Sequence, residues 1–409
     1  MTGKRSGLLG VTAVVTALFL ASCSADPTAT PTSLPTATAL LEPTPTLDSA
    51  AQFQAEWEAL IEAAQAEGEI SITAGGSAGR NFRPVMALWE ERFGITPIIA
   101  TGGGSAHVNR VLAEREVGRH LVDVMYGGAT SMTSRLIPAN ALDPIGELFI
   151  HPEVTDRTLW LGGQHWYADP QQQFIFVFSA SARPMTLGMR YNTDLVAQED
   201  IDAMNSVFDF LDPKWNGKIV AFSPTAGGSS GTYYAAYVHP DIGPEWIERF
   251  FSPELDVTFA QDIRFIADGI ANRKFHFTLG GGAVSDLDGL ASLGAPIGVL
   301  DKEFKEGGEL AASSSGSLMA IVADRPHPNA TKLWVNWWLS NEGQTLMHTM
   351  SEVGPQPTLR EDVTEWGRTE EMDRRVPGKS YFFFDADPAL VERRQEALDY
   401  ATSTYRATR

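Results

Sequence analysis

The chain has 409 residues, of which 43% are hydrophobic, and this is enough for two cores of ordinary domain size. Its formal net charge is −20 and no block of lysine or arginine stands out, so nucleic acid is not an expected partner. The single cysteine, Cys23, excludes a disulfide bond within the chain. Acidity of this kind indicates a soluble surface rather than a particular partner.

The first residues have the pattern of an export signal. Lys4 and Arg5 precede an apolar segment, 8–20, that is too short to cross a bilayer comfortably. The following Leu-Ala-Ser-Cys23 resembles the lipobox of bacterial lipoprotein signals. This resemblance implies that a signal peptide, residues 1–22, is removed and that Cys23 carries a lipid anchor at a membrane surface. The alternative is an ordinary secretory signal.

Residues 23–50 are a low-complexity segment in which threonine and proline dominate. Proline favours an extended chain, so the segment predicts a semi-rigid stalk that holds the folded body away from the membrane. Whether the stalk is O-glycosylated is left open by the sequence. No later stretch has about 18 uninterrupted apolar residues, so no further membrane span is predicted.

The body begins with a predicted helix that ends at Gly68, and strands then alternate with helices. This βαβα order predicts a mainly parallel sheet covered by helices, the first part of lobe 1, over residues 51–175. The predicted strands are 69–73, 96–100 and 121–124, and the predicted helices are 81–93 and 107–117.

The pattern changes near Gln173, and residues 176–310 predict a second lobe with hinge strands. Residues 311–409 are expected to return to lobe 1 and to end in C-terminal helices. The predicted fold class is therefore α/β, with two lobes of mainly parallel sheet flanked by helices and joined by hinge crossings. The predicted strands are 174–178, 186–191, 219–222, 295–300 and 318–322, and the predicted helices are 259–270, 328–339, 342–350 and 388–404.

Five glycine-rich loops follow predicted strands and precede predicted helices. Such loops present backbone N–H groups at helix N-termini, which favour an anion or a ligand rich in hydrogen-bond acceptors. The sequence therefore predicts a ligand cleft lined by backbone amides and small hydroxyls. The candidate ligand-binding residues are Gly75, Gly76, Ser77, Ser105 and Thr130 in lobe 1, and Thr225, Ser229 and Ser230 in lobe 2.

Charged and aromatic residues near these loops have two interpretations each. Arg80 or Arg110 supplies positive charge to the cleft or is a solvated surface residue. Asp286 and Asp288 suit a cationic group or cap a helix. Two aromatic residues stack on a ligand ring or pack in the core, namely Tyr126 and Trp166.

Several motifs in a fixed order resemble the extracellular solute-binding proteins of bacterial ABC importers. The resemblance is closest to the ferric-iron-binding group of the type 2 periplasmic-binding-protein fold and covers residues 51–350. It implies a two-lobe monomer without a cofactor, which captures a small solute and delivers it to a membrane permease. The motif residues are turn formers and helix starts, so they are expected to hold the fold rather than the ligand. The motifs are Ala66-Glu-Gly-Glu-Ile70, Met189-Arg-Tyr-Asn-Thr-Asp-Leu-Val196, Leu211-Asp-Pro-Lys-Trp-Asn-Gly-Lys-Ile219, His327-Pro-Asn-Ala330 and Leu339-Ser-Asn-Glu-Gly-Gln344.

Iron is the alternative cargo. Iron-binding members of that group have a tyrosine pair after a glycine-containing helix of the second lobe, whereas the matching passage here, 267–282, has glycines instead. Tyr233 and Tyr234 are adjacent, but on a helix they point about 100° apart. The eight histidines lack metal-binding spacings, so no metal site is predicted.

Two other functions compete with transport. The segments 75–79 and 227–231 both satisfy G-x-S-x-G, so Ser77 or Ser229 would be the nucleophile of a serine hydrolase, with His165 or His239 as base. However, only one predicted strand of the body precedes Ser77, whereas several precede the nucleophile in α/β-hydrolases. An adhesive surface lipoprotein would not need a ligand cleft. A binding protein that is not an enzyme is therefore predicted.

Overall fold

The computed structural model describes residues 47–226, 230–279, 284–312, 316–351 and 355–409. The predicted signal peptide, Cys23 and most of the predicted stalk lie outside these ranges. Within them, no helix is long and apolar enough to cross a membrane. The first helix begins at Leu47, so residues 47–50, which were assigned to the stalk, are helical. The reason is that the last proline of the stalk is Pro45, so residues 46–50 all have a backbone N–H to donate.

Fourteen strands are described across these ranges. They are β1 (Glu69–Gly75), β2 (Thr96–Gly102), β3 (Val124–Tyr126), β4 (Leu142–Asp143), β5 (Trp166–Tyr167), β6 (Phe176–Val177), β7 (Ser181–Pro184), β8 (Arg190–Asn192), β9 (Ile219–Phe222), β10 (Thr258–Ala260), β11 (Phe277–Leu279), β12 (Ile297–Val299), β13 (Gly308–Ala311) and β14 (Leu318–Val322).

Fourteen α-helices are described in the same ranges, and α4 continues directly into a π-helix over Met132–Leu136. They are α1 (Leu47–Glu67), α2 (Gly76–Phe93), α3 (Gly104–Glu116), α4 (Ala129–Ser131), α5 (Pro152–Thr155), α6 (Gln198–Ala203), α7 (Ser230–Val238), α8 (Gly243–Phe251), α9 (Ile263–Ala271), α10 (Val284–Ser292), α11 (Pro328–Leu339), α12 (Asn341–Met350), α13 (Pro388–Val391) and α14 (Arg394–Ala407).

Lobe 1 is built on a sheet with the strand order β2-β1-β3-β14-β6-β5, and β4 pairs with β14. The strands β2, β1 and β3 are parallel, whereas β14 is antiparallel to its neighbours. The apolar face of α2 is buried against this sheet and includes Phe82, Val85 and Trp89, which are at helical spacing. Aromatic rings join α2 to α11, because Trp89 lies 5.0 Å from Trp334 and Phe82 lies 4.8 Å from Trp338, between ring centroids.

Lobe 2 is built on a five-stranded sheet with the order β10-β9-β11-β8-β12. Its first three strands are mutually parallel, and β8 is antiparallel to both of its neighbours. The helix predicted at 259–270 begins only at Ile263, because Phe259 lies in β10 and pairs with Ala221 of β9. The predicted two-lobe α/β architecture is confirmed.

The antiparallel pair β7–β13 connects the two lobes, with Ser181 opposite Ala311. The C-terminal segment makes a further crossing and corrects the expectation that the chain ends on lobe 1. Whereas α11 and α12 pack in the core of lobe 1, Ala397 and Ala401 of α14 are buried in the core of lobe 2. The physical reason is the packing of these small side chains into the lobe 2 core, and the hydroxyl of Tyr237 on α7 also donates to Glu396 of α14 at 2.6 Å.

Candidate ligand-binding cleft

Three parallel strands of lobe 1 end side by side in glycine turns. Gly75 of β1 lies opposite Gly102 of β2, and Ala74 lies opposite Tyr126, the last residue of β3. The turns after β2 and β3 are also in contact, since a Cβ atom built on Gly104 would lie 3.8 Å from the backbone nitrogen of Gly128. The sheet therefore brings three predicted loops to one edge.

Each of these turns leads directly into a helix. Glycine occupies the N-cap position of α2, α3 and α4, as Gly75, Gly103 and Gly128, and glycine has no side chain to accept from the helix N–H groups. The first turns of these three helices contain no acidic residue. Backbone N–H groups in a first turn lack partners within the helix and carry partial positive charge. This edge is therefore suited to a negatively charged or acceptor-rich group.

The residues next to the glycine turns are closely packed against neighbouring strands and helices. A Cβ atom on Gly79 would lie 2.3 Å from Cγ2 of Thr101, so α2 approaches β2 at a distance that only glycine allows. His107 of α3 is buried, and its Nε2 donates to the carbonyl oxygen of Ala74 at 3.2 Å. Burial lowers the pKa of His107 below its ordinary value, so the ring is a neutral brace between α3 and β1.

The corresponding edge of lobe 2 lies where β9 and β11 end as parallel neighbours, with Leu279 opposite Ala221. The segment after β9 forms a hydroxyl network, in which Oγ of Ser223 lies 2.8 Å from Oγ1 of Thr225. Nε2 of Gln261, which directly follows β10, donates to the same Thr225 oxygen at 3.2 Å. Thr225 was a predicted site residue. Ser223 and Gln261 were not, and their only sequence signal is a position just after a strand.

The strand directions show where the lobes are joined. Because β3 and β6 are both antiparallel to β14, β6 ends at the edge of lobe 1 that carries the glycine turns. The strand β14 starts at this edge, so both β7 and β13 connect to lobe 1 there. In lobe 2, β8 starts at Arg190, beside Thr278 near the end of β11, and β12 ends opposite Arg190. The connections thus join the carboxyl edges of the parallel strands of both sheets.

The predicted site residues fall on these two edges as far as they are described. Gly75 ends β1, Ser105 is exposed in the first turn of α3, and Thr130 is half-buried in α4. Gly76 begins α2 and Ser77 follows it, while Ser230 begins α7. Ser229 and the side chains of Ser77, Ser230, Asp286 and Asp288 lie outside the described part of the structure.

The other candidates near the loops have mixed outcomes. Arg80 is exposed on α2, whereas Nε of Arg110 is paired with Glu114 of its own helix at 2.6 Å. Tyr126 is a core residue, since its buried hydroxyl accepts from Nε1 of Trp334 at 2.9 Å. The ring of Trp166, on β5, packs at 5.1 Å from that of Phe383.

The adjacent tyrosines of α7 are buried in the core, where their hydroxyls bind backbone carbonyl oxygens rather than a metal ion. The hydroxyl of Tyr233 donates to the carbonyl oxygen of Phe222, and that of Tyr234 to the carbonyl oxygen of Phe384, both at 2.7 Å. Burial raises the pKa of both phenols, which opposes the phenolate form that Fe³⁺ prefers. The described ranges contain no cluster of three or more His, Cys, Asp or Glu side chains placed to hold a metal ion.

The histidines proposed for a hydrolase have other partners. Nε2 of His165 donates to the carbonyl oxygen of Val154 at 2.8 Å, and burial lowers the pKa of His165 to about 4. Nδ1 of His239 accepts from the backbone nitrogen of Asp241 at 3.2 Å. Neither ring has a hydrogen bond to a serine hydroxyl in the part of the chain that the structure describes.

Comparison with known proteins gives structural matches only. No protein-family model and no curated protein sequence matches the chain. Iron-bound HitA from Pseudomonas aeruginosa is similar in structure, with 16% identity, a TM-score of 0.55, and coverage of 82% of this chain and 99% of that chain. The periplasmic binding protein AfuA from Actinobacillus pleuropneumoniae, solved with fructose-6-phosphate bound, matches with 15% identity, a TM-score of 0.56, and coverage of 83% and 99%.

The ferric binding protein from Campylobacter jejuni is also similar, with 16% identity, a TM-score of 0.57, and coverage of 83% of this chain and 99% of that chain. At these identities the likeness concerns the fold. The chain has the two-lobe fold of the periplasmic binding proteins, as its motifs predicted.

Proposed function

We propose that this protein is an extracellular solute-binding protein that captures a small anionic ligand between its two lobes and delivers it to an ABC permease. It acts as a monomer, held at the membrane surface by a lipid on Cys23. One observation carries the proposal: β7 and β13 join the two sheets at the edges where their parallel strands end in loops. Ligands of open α/β sheets bind at such carboxyl edges.

The composition of the loops supports an anion rather than a bare metal ion. The segments 75–79, 102–106, 127–131, 223–232 and 279–285 contain no Asp, Glu, His, Cys or Tyr. They offer backbone N–H groups and the hydroxyls of serine and threonine, which donate hydrogen bonds to phosphate or carboxylate oxygens. We assign this role to Gly75, Gly76, Ser77, Ser105, Thr130, Thr225, Ser229 and Ser230.

The proposed ligand class is an organic phosphate or another small organic acid. A ligand that contacts both edges binds the closed arrangement of the lobes better than the open one, and this difference drives closure. The similar fold of AfuA, which was solved with a bound sugar phosphate, supports the same class.

An iron chelate is the second candidate, because the similar structures include iron-bound HitA and a Trichodesmium protein in complex with iron and citrate. In a chelate, the organic acid supplies the anionic ligands that the loops lack. Bare Fe³⁺ is less favoured because phenolate and carboxylate donors are absent from these loops.

A thermal-shift panel of sugar phosphates, organic acids, ferric citrate and polyamines tests the proposal. A ligand at one hundred times its Kd stabilises the folded state by about 2.7 kcal/mol, so one anionic class should raise the Tm. Thr225→Ala and Ser105→Ala should weaken that response, whereas Thr155→Ala, a change at another exposed threonine, should not. If no compound of the panel raises the Tm, the binding function is refuted.

Catalysis is not part of this proposal. A serine-directed fluorophosphonate should leave the protein unlabelled at Ser77 and Ser229. Labelling at either position would instead support a hydrolase.

A further inference from the structure

A separate concave site lies beside the hinge, and no residue of the glycine turns lines it. It has a volume of about 400 Å³ and is formed where β13 and the edge of lobe 1 meet the C-terminal segment 360–383. Its walls include the aromatic side chains of Trp166, Trp366, Tyr381 and Phe383. A cavity of this volume falls within the range of small-molecule sites, about 300–1,000 Å³.

The walls of this hinge-side cavity are held by hydrogen bonds. Nε1 of Trp166 donates to the carbonyl oxygen of Leu161 at 2.9 Å. The backbone nitrogen of Phe382 donates to Gly308 of β13 at 2.8 Å, and that of Leu310 donates to Phe382 at 3.0 Å. The cavity is therefore largely formed before any ligand arrives, which reduces the entropic cost of binding.

One cation on the wall, Arg375, forms no ion pair within 4.0 Å in the described part of the chain. Its Nη1 donates to the carbonyl oxygen of Thr358 at 2.8 Å. Burial lowers the pKa of Arg375, although Glu361 and Tyr381 oppose the shift. A partly buried charge of this kind is stabilised when a counter-ion binds beside it.

The other cations on the wall are already neutralised. Nη2 of Arg360 lies 2.6 Å from Oδ2 of Asp362, and Nζ of Lys379 lies 2.8 Å from Oε2 of Glu303. Glu361 is exposed to solvent at the same wall. Arg375 is thus the cation that is available to an incoming anion.

We propose that the hinge-side cavity is a second binding site, for a small amphipathic anion such as an aryl or alkyl carboxylate. The ring or chain packs between the aromatic walls, and the carboxylate pairs with Arg375. This site is independent of the interlobe cleft and of its proposed ligand.

Three related probes separate charge from ring packing. By isothermal titration calorimetry, indole-3-acetate should bind at least tenfold tighter than indole, which lacks the carboxylate, and tryptamine, which is cationic, should bind weakest. Equal affinities of the three probes would overturn the role of Arg375.

Variants locate the probe. Arg375→Gln should weaken the binding of indole-3-acetate at least tenfold and abolish the preference of the site for indole-3-acetate over indole. Trp366→Leu should weaken the binding of both probes. Arg249→Gln, the same change of charge on the surface of α8, should change neither. If Arg375→Gln lowers the Tm markedly, the test of the site depends on Trp366→Leu alone. Unchanged affinity of this variant for indole-3-acetate would then overturn the site. Loss of binding in Thr130→Ala would also overturn it, because the probe would then occupy the interlobe cleft.

Discussion

The carboxylate of Glu67, at the end of α1, accepts a hydrogen bond from the backbone nitrogen of Ala330, in the first turn of α11, at 2.7 Å. Its other oxygen accepts from the backbone nitrogen of Asn329 at 3.0 Å. A residue more than 260 positions earlier in the chain therefore caps α11. Two of the motifs that indicated the fold meet at this contact, so they hold the structure rather than a ligand.

Replacing Glu67 should destabilise lobe 1 without changing the affinity for a ligand of the cleft. Glu67→Gln removes the negative charge from the N-terminus of α11 and should cost about 1–2 kcal/mol, the range measured for caps and charge-assisted hydrogen bonds. The urea midpoint measures this loss. Glu62→Gln, on the exposed face of α1, should leave the midpoint unchanged, and an equal loss in both variants would contradict the capping role.

Gly79 allows α2 to approach β2. Gly79→Ala should destabilise the protein by about 1–3 kcal/mol, because its Cβ would lie 2.3 Å from Cγ2 of Thr101. Thr101→Ser deletes that methyl group, so the double variant should recover most of the loss in urea denaturation. Gly103→Ala meets no atom within 4 Å and is the control. A double variant as unstable as Gly79→Ala would show that the contact is not the cause.

Stability should fall as the pH is lowered from 6.5 towards 4, owing partly to His348. This ring is buried, its Nδ1 donates to Oγ1 of Thr369 at 2.7 Å, and its Nε2 accepts from the backbone nitrogen of Thr358 at 3.2 Å. Burial lowers the pKa of His348 from 6.5 to about 4, so the unfolded chain binds the proton first as the pH falls.

The expected loss from His348 between pH 7 and pH 5 is about 2 kcal/mol. The change in urea midpoint between these pH values should be smaller in His348→Gln than in the unaltered protein. His120→Gln, at a half-buried histidine, is the control. An unchanged pH dependence in His348→Gln would exclude this residue. Asp385 contributes in the opposite direction, because burial raises its pKa to about 6.

Membrane attachment should depend on Cys23. Cys23→Ser removes the thiol that the lipobox-like sequence presents, so the protein should move from the membrane fraction to the soluble fraction. Mass spectrometry of the mature N-terminus should show a lipid on Cys23 in the unaltered protein only. An unmodified N-terminus in a protein that still pellets with membranes would contradict the lipid anchor.

Local pattern predicted most of lobe 1, including the bounds of α11, but not where α2 begins. The helix expected from Asn81 begins at Gly76. Glycine has low helix propensity, so the first turn depends on packing that local sequence does not reveal. The strand β10 was missed because Phe259 continues the helical spacing of α9, while its pairing with β9 is a contact between distant parts of the chain.

The candidate site was predictable only in part. Glycine turns after strands identified the loops, and the parallel register of β1 with its neighbours brought three of them together. Ser223 and Gln261 lack such a signal, because they are linked through Thr225 from two different strands. The hinge-side cavity was not predicted, because residues 355–383 match no predicted element. Part of this segment is placed by a contact that is distant in sequence, namely that of Phe382 with β13.

The path of the C-terminal segment places the two ends of the folded body on different lobes. Leu60 of α1 is buried in the core of lobe 1, and Ala401 of α14 is buried in the core of lobe 2. Fluorescent labels at Ala50 and Thr408 would therefore lie on different lobes. The energy transfer between them would report opening and closing in solution, without any change to the cleft.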